Sequence, residues 1–214
     1  GTKAILAAID KRVTVTSTIT EASYTEGEHN DQRSSSTLKI NSQLGTFEIP
    51  LYSYYKDLAK DDININWLGS QSRYGPESFA THQSIIKSEF MPFVYLVAKL
   101  SHMTKQSGMI DEDLLHPNGL EITIDSDIPI GVGLGSSSAC CVAAAASLYA
   151  LFCEKDGGTK LKFSQENETK DILSLAKEAE RTIFPDTSGA DCAVCTYGGM
   201  IEYPSIEKID SAFD

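Results

Sequence analysis

The 214-residue chain predicts an α+β fold in which a mixed or antiparallel sheet is backed on one side by helices. Three observations predict it. Segments of β-branched residues with period-two alternation open the chain and recur around residue 122; two later segments carry apolar residues at helical spacing; and a glycine-rich turn joins one of the strands to an alanine-rich helix.

Residues 4–9 are apolar and Val13-Thr14-Val15-Thr16 alternates, so the chain opens in a sheet. Residues 21–36 carry Gly27, Asn30, Asp31 and a run of serines, the composition of a long hairpin loop. Leu38-Lys39-Ile40 and Thr46-Phe47-Glu48-Ile49 predict short paired strands about a turn near Gly45. Residues 52–73 follow neither period. Between 89 and 103, Phe90, Phe93, Val94, Val97 and Leu100 fall at helical spacing, with Pro92 in the first turn, where a missing N–H is harmless. Leu120, Ile122 and Ile124 alternate with Glu121, Thr123 and Asp125, a half-buried strand running into the glycine turn. Residues 138–152 predict a close-packed core helix, and 169–184 a helix with Ile172, Leu173, Leu175, Ala176, Ala179 and Ile183 inward. With no internal repeat or linker, residues 1–214 read as one domain.

Composition excludes several classes of function. The net charge of -12, with 18 scattered Lys and Arg, disfavours nucleic acid and anionic membrane surfaces, which would be repelled. The apolar stretch 138–152 is too short to span a bilayer, and the first apolar run meets Asp10, Lys11 and Arg12 too early for a signal peptide. Cys140, Cys141, Cys153, Cys192 and Cys195 form an odd set without a disulfide framework, which points to a reducing, cytoplasmic setting. Cys192-Ala-Val-Cys195 lacks the second ligand pair of a zinc site and reads as buried helix packing.

The chemistry concentrates in Pro129-Ile130-Gly131-Val132-Gly133-Leu134-Gly135-Ser136-Ser137-Ser138. Alternating glycines let a backbone approach an anion closely, and a helix starting at the serines aims its unpaired N–H groups and positive dipole end at the same place. No Gly-Lys-Ser/Thr follows, Ser136 stands where a dinucleotide fingerprint needs its last glycine, and no G-x-S-x-G is present, so neither a Walker loop, a Rossmann turn nor a nucleophile elbow applies. A glycine turn leading into a core helix is the plainer alternative. After the last long helix, Glu180 and Asp191 flank Thr187-Ser188-Gly189, where the two carboxylates could converge as a Mg²⁺ ligand and a group at a substrate hydroxyl; a solvated helix-end cap is the alternative for Glu180.

Pro129-x-x-x-Gly133-Leu134-Gly135-Ser136-Ser137 together with Ser188-Gly189-x-Asp191-x-Ala193-Val194-x-Thr196-x-Gly198-Gly199 resembles the GHMP small-molecule kinases, and among them the mevalonate kinase family. The Glu180-to-Asp191 spacing and the opening Gly1-Thr2-Lys3-Ala4-Ile5-Leu6-Ala7 look similar to that family too. The resemblance implies a GHMP N-terminal-type domain with a left-handed βαβ unit, and transfer of the γ-phosphoryl group of ATP to the 5-hydroxyl of mevalonate. It implies that Gly131, Gly133, Leu134, Gly135, Ser136, Ser137 and Ser138 hold the ATP phosphates. Ser137 and Glu180 would bind Mg²⁺, Thr187, Ser188, Gly189 and Asp191 would meet the substrate, and Asp191 would act as general base or orienting group. It leaves room for a homodimer of the whole protein. The family's first motif, with its lysine, and its second domain have no counterpart here, so the chain is expected to be an incomplete N-terminal domain and a poor catalyst alone. Thr187 stands where proline is common and Ser138 where alanine is common. Other GHMP kinases, such as phosphomevalonate kinase, and a non-catalytic nucleotide-binding protein of the same fold are the alternatives. A serine hydrolase would need a histidine base, and His29, His82, His102 and His116 sit in no partner motif.

Overall fold

The structure is a computed structural model and describes residues 4–20, 37–50, 88–106, 118–153 and 165–203. Six strands and four helices lie within them: β1 (Ala4–Ala7), β2 (Val13–Thr20), β3 (Thr37–Ser42), β4 (Gly45–Pro50), α1 (Met91–Gln106), β5 (Gly119–Ser126), α2 (Ser136–Cys153), α3 (Gln165–Arg181), α4 (Ala190–Tyr197) and β6 (Met200–Tyr203). A short 3₁₀ turn, Ser88–Phe90, leads into α1.

The strands form two sheets, one of four strands in the order β2-β5-β3-β4 and a small one pairing β1 with β6. β5 runs antiparallel to β2 and parallel to β3, so of the two expected arrangements, mixed or antiparallel, the main sheet is mixed. The parallel register sets Leu38 opposite Leu120 and Ile40 opposite Ile122. All four are essentially sealed from solvent. Each such side chain contributes about 1.5–3 kcal/mol on burial, which makes this pair of strands the anchor of the sheet. The expected β3–β4 hairpin is present, closing at Ser42 opposite Gly45. The hairpin expected across residues 21–36 is not: β5 sits between β2 and β3, so the two strands flanking that stretch are not hydrogen-bonded to one another. Alternation along β2 marks a half-buried strand but carries no information about which neighbour it pairs with.

Helix α2 is apolar on nearly every face, SSSACCVAAAASLYALFC, and a helix of that kind belongs inside a protein. It packs against β2, α1, α3 and α4. Ala144, Ala145 and Leu148 have no exposed surface, since alanine lets neighbouring backbones approach closely. Ser147 Oγ donates to Ser17 Oγ at 2.9 Å, fastening α2 to the sheet. Helix α3 is amphipathic as expected, burying Leu173, Leu175, Ala176 and Ala179, but it ends at Arg181 and leaves Ile183 in the turn beyond. Tyr95 of α1 donates its hydroxyl proton to Glu178 of α3, and Lys99 pairs with the same carboxylate at 3.6 Å. No helix among the described residues is long and apolar enough to cross a membrane. The ambiguous stretch 52–73 lies outside the described residues.

Candidate active site

The site begins where β5 ends. Gly131, Gly133 and Gly135 take φ of 77°, 77° and 69°, a left-handed backbone that costs other L-residues about 1–2 kcal/mol each. The alternation winds the chain into a loop with Ile130, Val132 and Leu134 half exposed, and Gly131 and Gly133 face open space. Ala139 N–H donates to Gly135 O at 2.9 Å, which makes Gly135 the residue immediately before α2. The first N–H groups of the helix therefore have no carbonyl of their own turn to bond, and they open toward the loop. Ser136 and Ser137 are partly exposed there, and their hydroxyls have no hydrogen-bond partner among the described residues.

Ser138 departs from its expected place on the phosphate loop. Successive helical residues are rotated by about 100°, so three consecutive serines cannot all face one way. The third turns inward, is only 2% exposed, and donates its hydroxyl proton to Glu180 Oε1.

Glu180 is the penultimate residue of α3 and is 4% exposed, which removes the solvated-cap reading. Its second oxygen, Oε2, accepts from Thr187 Oγ1 at 2.7 Å and from Cys192 Sγ at 3.5 Å. No described Lys, Arg or His forms an ion pair with it. Burying a carboxylate is costly without compensation, and here the compensation comes from neutral donors with the charge left uncancelled. That is the chemistry of a cation ligand. Among the described residues no group of three or more His, Cys, Asp or Glu could hold a metal. Mg²⁺ is commonly held by one or two protein oxygens with phosphate and water completing its shell, a donor set that Glu180 and the partly exposed Ser137 could supply.

A tight turn carries the chain from α3 to α4. Thr187 Oγ1 also accepts Gly189 N–H at 3.3 Å, and Ser188 Oγ accepts Ala190 N–H at 3.2 Å. Gly189 precedes α4 with φ 76°, and a Cβ there would fall 2.6–2.9 Å from the Lys177 stem. Both the left-handed backbone and that close approach select glycine. The outcome is to set Asp191 in the first turn of α4, where the helix dipole favours a carboxylate. A Cβ added at Gly135 would lie 3.7 Å from Asp191 Oδ2, so this carboxyl lies close to the loop's last glycine. Partial desolvation, and then the Glu180 charge, raise the Asp191 pKa above the ordinary carboxylate range.

The acidic pair and the start of α2 are thus brought together from segments about 45 and 55 residues apart. Thr187 and Ser188 lie in the turn that leads into α4, and the Thr187 hydroxyl is spent on Glu180. The Cys192–Cys195 pair sits on α4, with Cys192 buried and Cys195 exposed, so packing explains only the first. Burial, then Glu180, then Cys141 push the Cys192 thiol up, keeping it a donor. Sequence reasoning missed Tyr203, whose hydroxyl donates to Ser188 O at 2.7 Å and ties the turn before α4 to β6. A lone tyrosine at the end of a four-residue strand carries no local signal of that role.

The α+β domain thus carries a left-handed glycine loop at a helix start, with Asp191 close to the loop's last glycine and the buried Glu180 bonded to Ser138 of that same helix. The family model for the GHMP kinases N terminal domain matches residues 93–199, half of the chain, and the chain belongs to that family. It is similar to the mevalonate kinase of Archaeoglobus fulgidus, 36% identical over 95 residues that make up 44% of this chain and 30% of that protein. It is also similar to the Bos taurus mevalonate kinase, 41% identical over 90 residues, 39% of this chain and 22% of that one. The crystal structure of L. major mevalonate kinase in complex with R-mevalonate superposes with a TM-score of 0.52 at 19% identity, covering 94% of this chain and 42% of that one. The fold is shared, and the chain spans less than half the length of these proteins.

Proposed function

We propose that the protein containing this domain transfers the γ-phosphoryl group of ATP to the 5-hydroxyl of mevalonate. The observation that supports the reading is the closeness of Asp191 to Gly135, where an added Cβ would meet the Asp191 side chain at 3.7 Å, beside the loop suited to holding phosphates. The similarity to mevalonate kinases supports the choice of acceptor.

The α2 start and the 131–135 loop would hold the triphosphate through backbone N–H groups, with the Ser136 and Ser137 hydroxyls turned toward it. Mg²⁺, held by Ser137 and Glu180, would neutralise charge on the phosphate oxygens. Asp191 would accept a hydrogen bond from the acceptor hydroxyl. As the new O–P bond forms and the bond from the γ-phosphorus to the bridging oxygen breaks, the hydroxyl proton passes to Asp191 and ADP leaves. Its raised pKa makes it a better proton acceptor than an exposed aspartate. Most of the acceleration in such reactions comes from alignment and charge neutralisation, which suits a site built from backbone and rigid turns. The free cysteines support a reducing compartment such as the cytosol.

The test is ADP release by the full-length protein with mevalonate, phosphomevalonate, homoserine and galactose. Mevalonate-dependent release is expected, reduced by about 10²–10⁴-fold in Asp191→Asn. Release with none of the acceptors would end the reading.

A further inference from the structure

Glu180 is held in an unusual manner for a buried carboxylate. Its partners are two hydroxyls and a thiol from three different elements: Ser138 on α2, Thr187 in the turn after α3, and Cys192 on α4. Each direction is fixed by chemistry. Thr187 Oγ1 already accepts Gly189 N–H, so its own proton is free to go to Glu180. Ser138 is buried, and the carboxylate is the acceptor it reaches. An ionised carboxylate offers about four lone-pair sites, two on each oxygen. Oε2 accepts two donors and Oε1 accepts one, which leaves a single open position on Oε1.

We propose that Ser138 and Thr187 are positioning residues that restrict Glu180 to a one-oxygen cation ligand, and so make the nucleotide site selective for Mg²⁺ over Ca²⁺. The proposal rests on the reading of Glu180 as the ligand of the nucleotide's cation. Mg²⁺ demands near-ideal octahedral geometry, which a single carboxylate oxygen serves well. Ca²⁺ tolerates larger, irregular shells and readily takes both oxygens of one carboxylate. With Oε2 saturated by Thr187 and Cys192, bidentate binding is closed to Ca²⁺. Neither Ser138 nor Thr187 touches the cation; both act through the orientation of Glu180.

The experiment measures Mg²⁺ and Ca²⁺ dissociation constants separately, by calorimetry on the full-length protein saturated with a non-hydrolysable ATP analogue. Ser138→Ala suits the alanine-rich α2 and is expected to fold. Partners that orient a metal ligand typically change affinity by about 10–100-fold, and the effect is expected here in the ratio of the two constants. Thr187→Val opens a position on Oε2 and should weaken Mg²⁺ while Ca²⁺ holds or tightens, shrinking the ratio by about tenfold, and Thr187→Ser should restore it; Ser138→Ala leaves Oε2 filled and should weaken Mg²⁺ while Ca²⁺ holds. Equal losses for both cations, or no change in either, would overturn the positioning role while leaving Glu180 as ligand. Glu180→Gln is the reference: it should weaken both cations, and unchanged binding in that variant would remove the ligand reading and the proposal together.

Discussion

Asp191 pays for its place beside the loop with a charge that the fold disfavours. Desolvation and the nearby Glu180 carboxylate raise its pKa when folded, whereas in the unfolded chain it titrates near about 3.9. A raised carboxyl pKa means the folded state binds the proton more tightly. Stability therefore falls as pH rises from the unfolded value through the folded one, and stays lower above it. Asp191→Asn removes the ionisation and is expected to be more stable than the parent at pH 7–8 in the absence of divalent cations. The gap should close on acidification below about pH 4. Thermal melts across that range check it, and a parent that is the more stable at pH 8 would contradict the like-charge picture. The position of Asp191 could be anticipated from its motif. The burial of Glu180 could not, because a glutamate next to the end of a helix is ordinarily solvated, and its enclosure by α2, the following turn and α4 reverses that.

Among the elements, α2 was the most legible and α4 the least. Eighteen residues without a charge, rich in alanine, can be satisfied only by enclosure, and α2 is enclosed by β2, α1, α3 and α4. Helix α4 has eight residues, too few to establish a period, and it begins at a left-handed glycine that reads as a turn. The strand β6 is shorter still, with four residues. What makes α2 recognisable also makes it intolerant. Ala145 has no exposed surface, and leucine matches alanine closely in helix propensity, so Ala145→Leu isolates packing from backbone preference. The added volume has nowhere to go, and the variant is expected to lose about 1–3 kcal/mol in denaturant unfolding. A neutral result would show that the α1–α2–α3 interface can yield.

Across the whole molecule, the site is a product of topology. Gly135 follows β5, Glu180 ends α3, Asp191 starts α4, and the turn between the last two is fastened by a strand of the second sheet. Sequence patterning conveyed half-buried strands, with Leu38, Ile40, Leu120 and Ile122 on the buried face, but it could not convey that β5 would part β2 from β3 and run parallel to β3, since pairing partners are chosen by long-range closure. The same holds for Tyr203, a residue distant from the glycine loop that links the β1–β6 sheet to Ser188. It is 5% exposed, and its hydroxyl has the Ser188 carbonyl as acceptor at 2.7 Å. Tyr203→Phe keeps the ring and deletes only that bond, worth about 1 kcal/mol or roughly fivefold in an equilibrium. The loss should fall on the turn 187–189, which carries the candidate acceptor side, while the loop 131–135 and α2 are untouched. The expected outcome in the full-length protein is a several-fold higher KM for the acceptor, faster amide exchange at residues 188–190, and unchanged affinity for the nucleotide. Weaker nucleotide binding with an unaltered acceptor KM would mean that β6 supports the phosphate loop instead, and that the second sheet couples to the other half of the site.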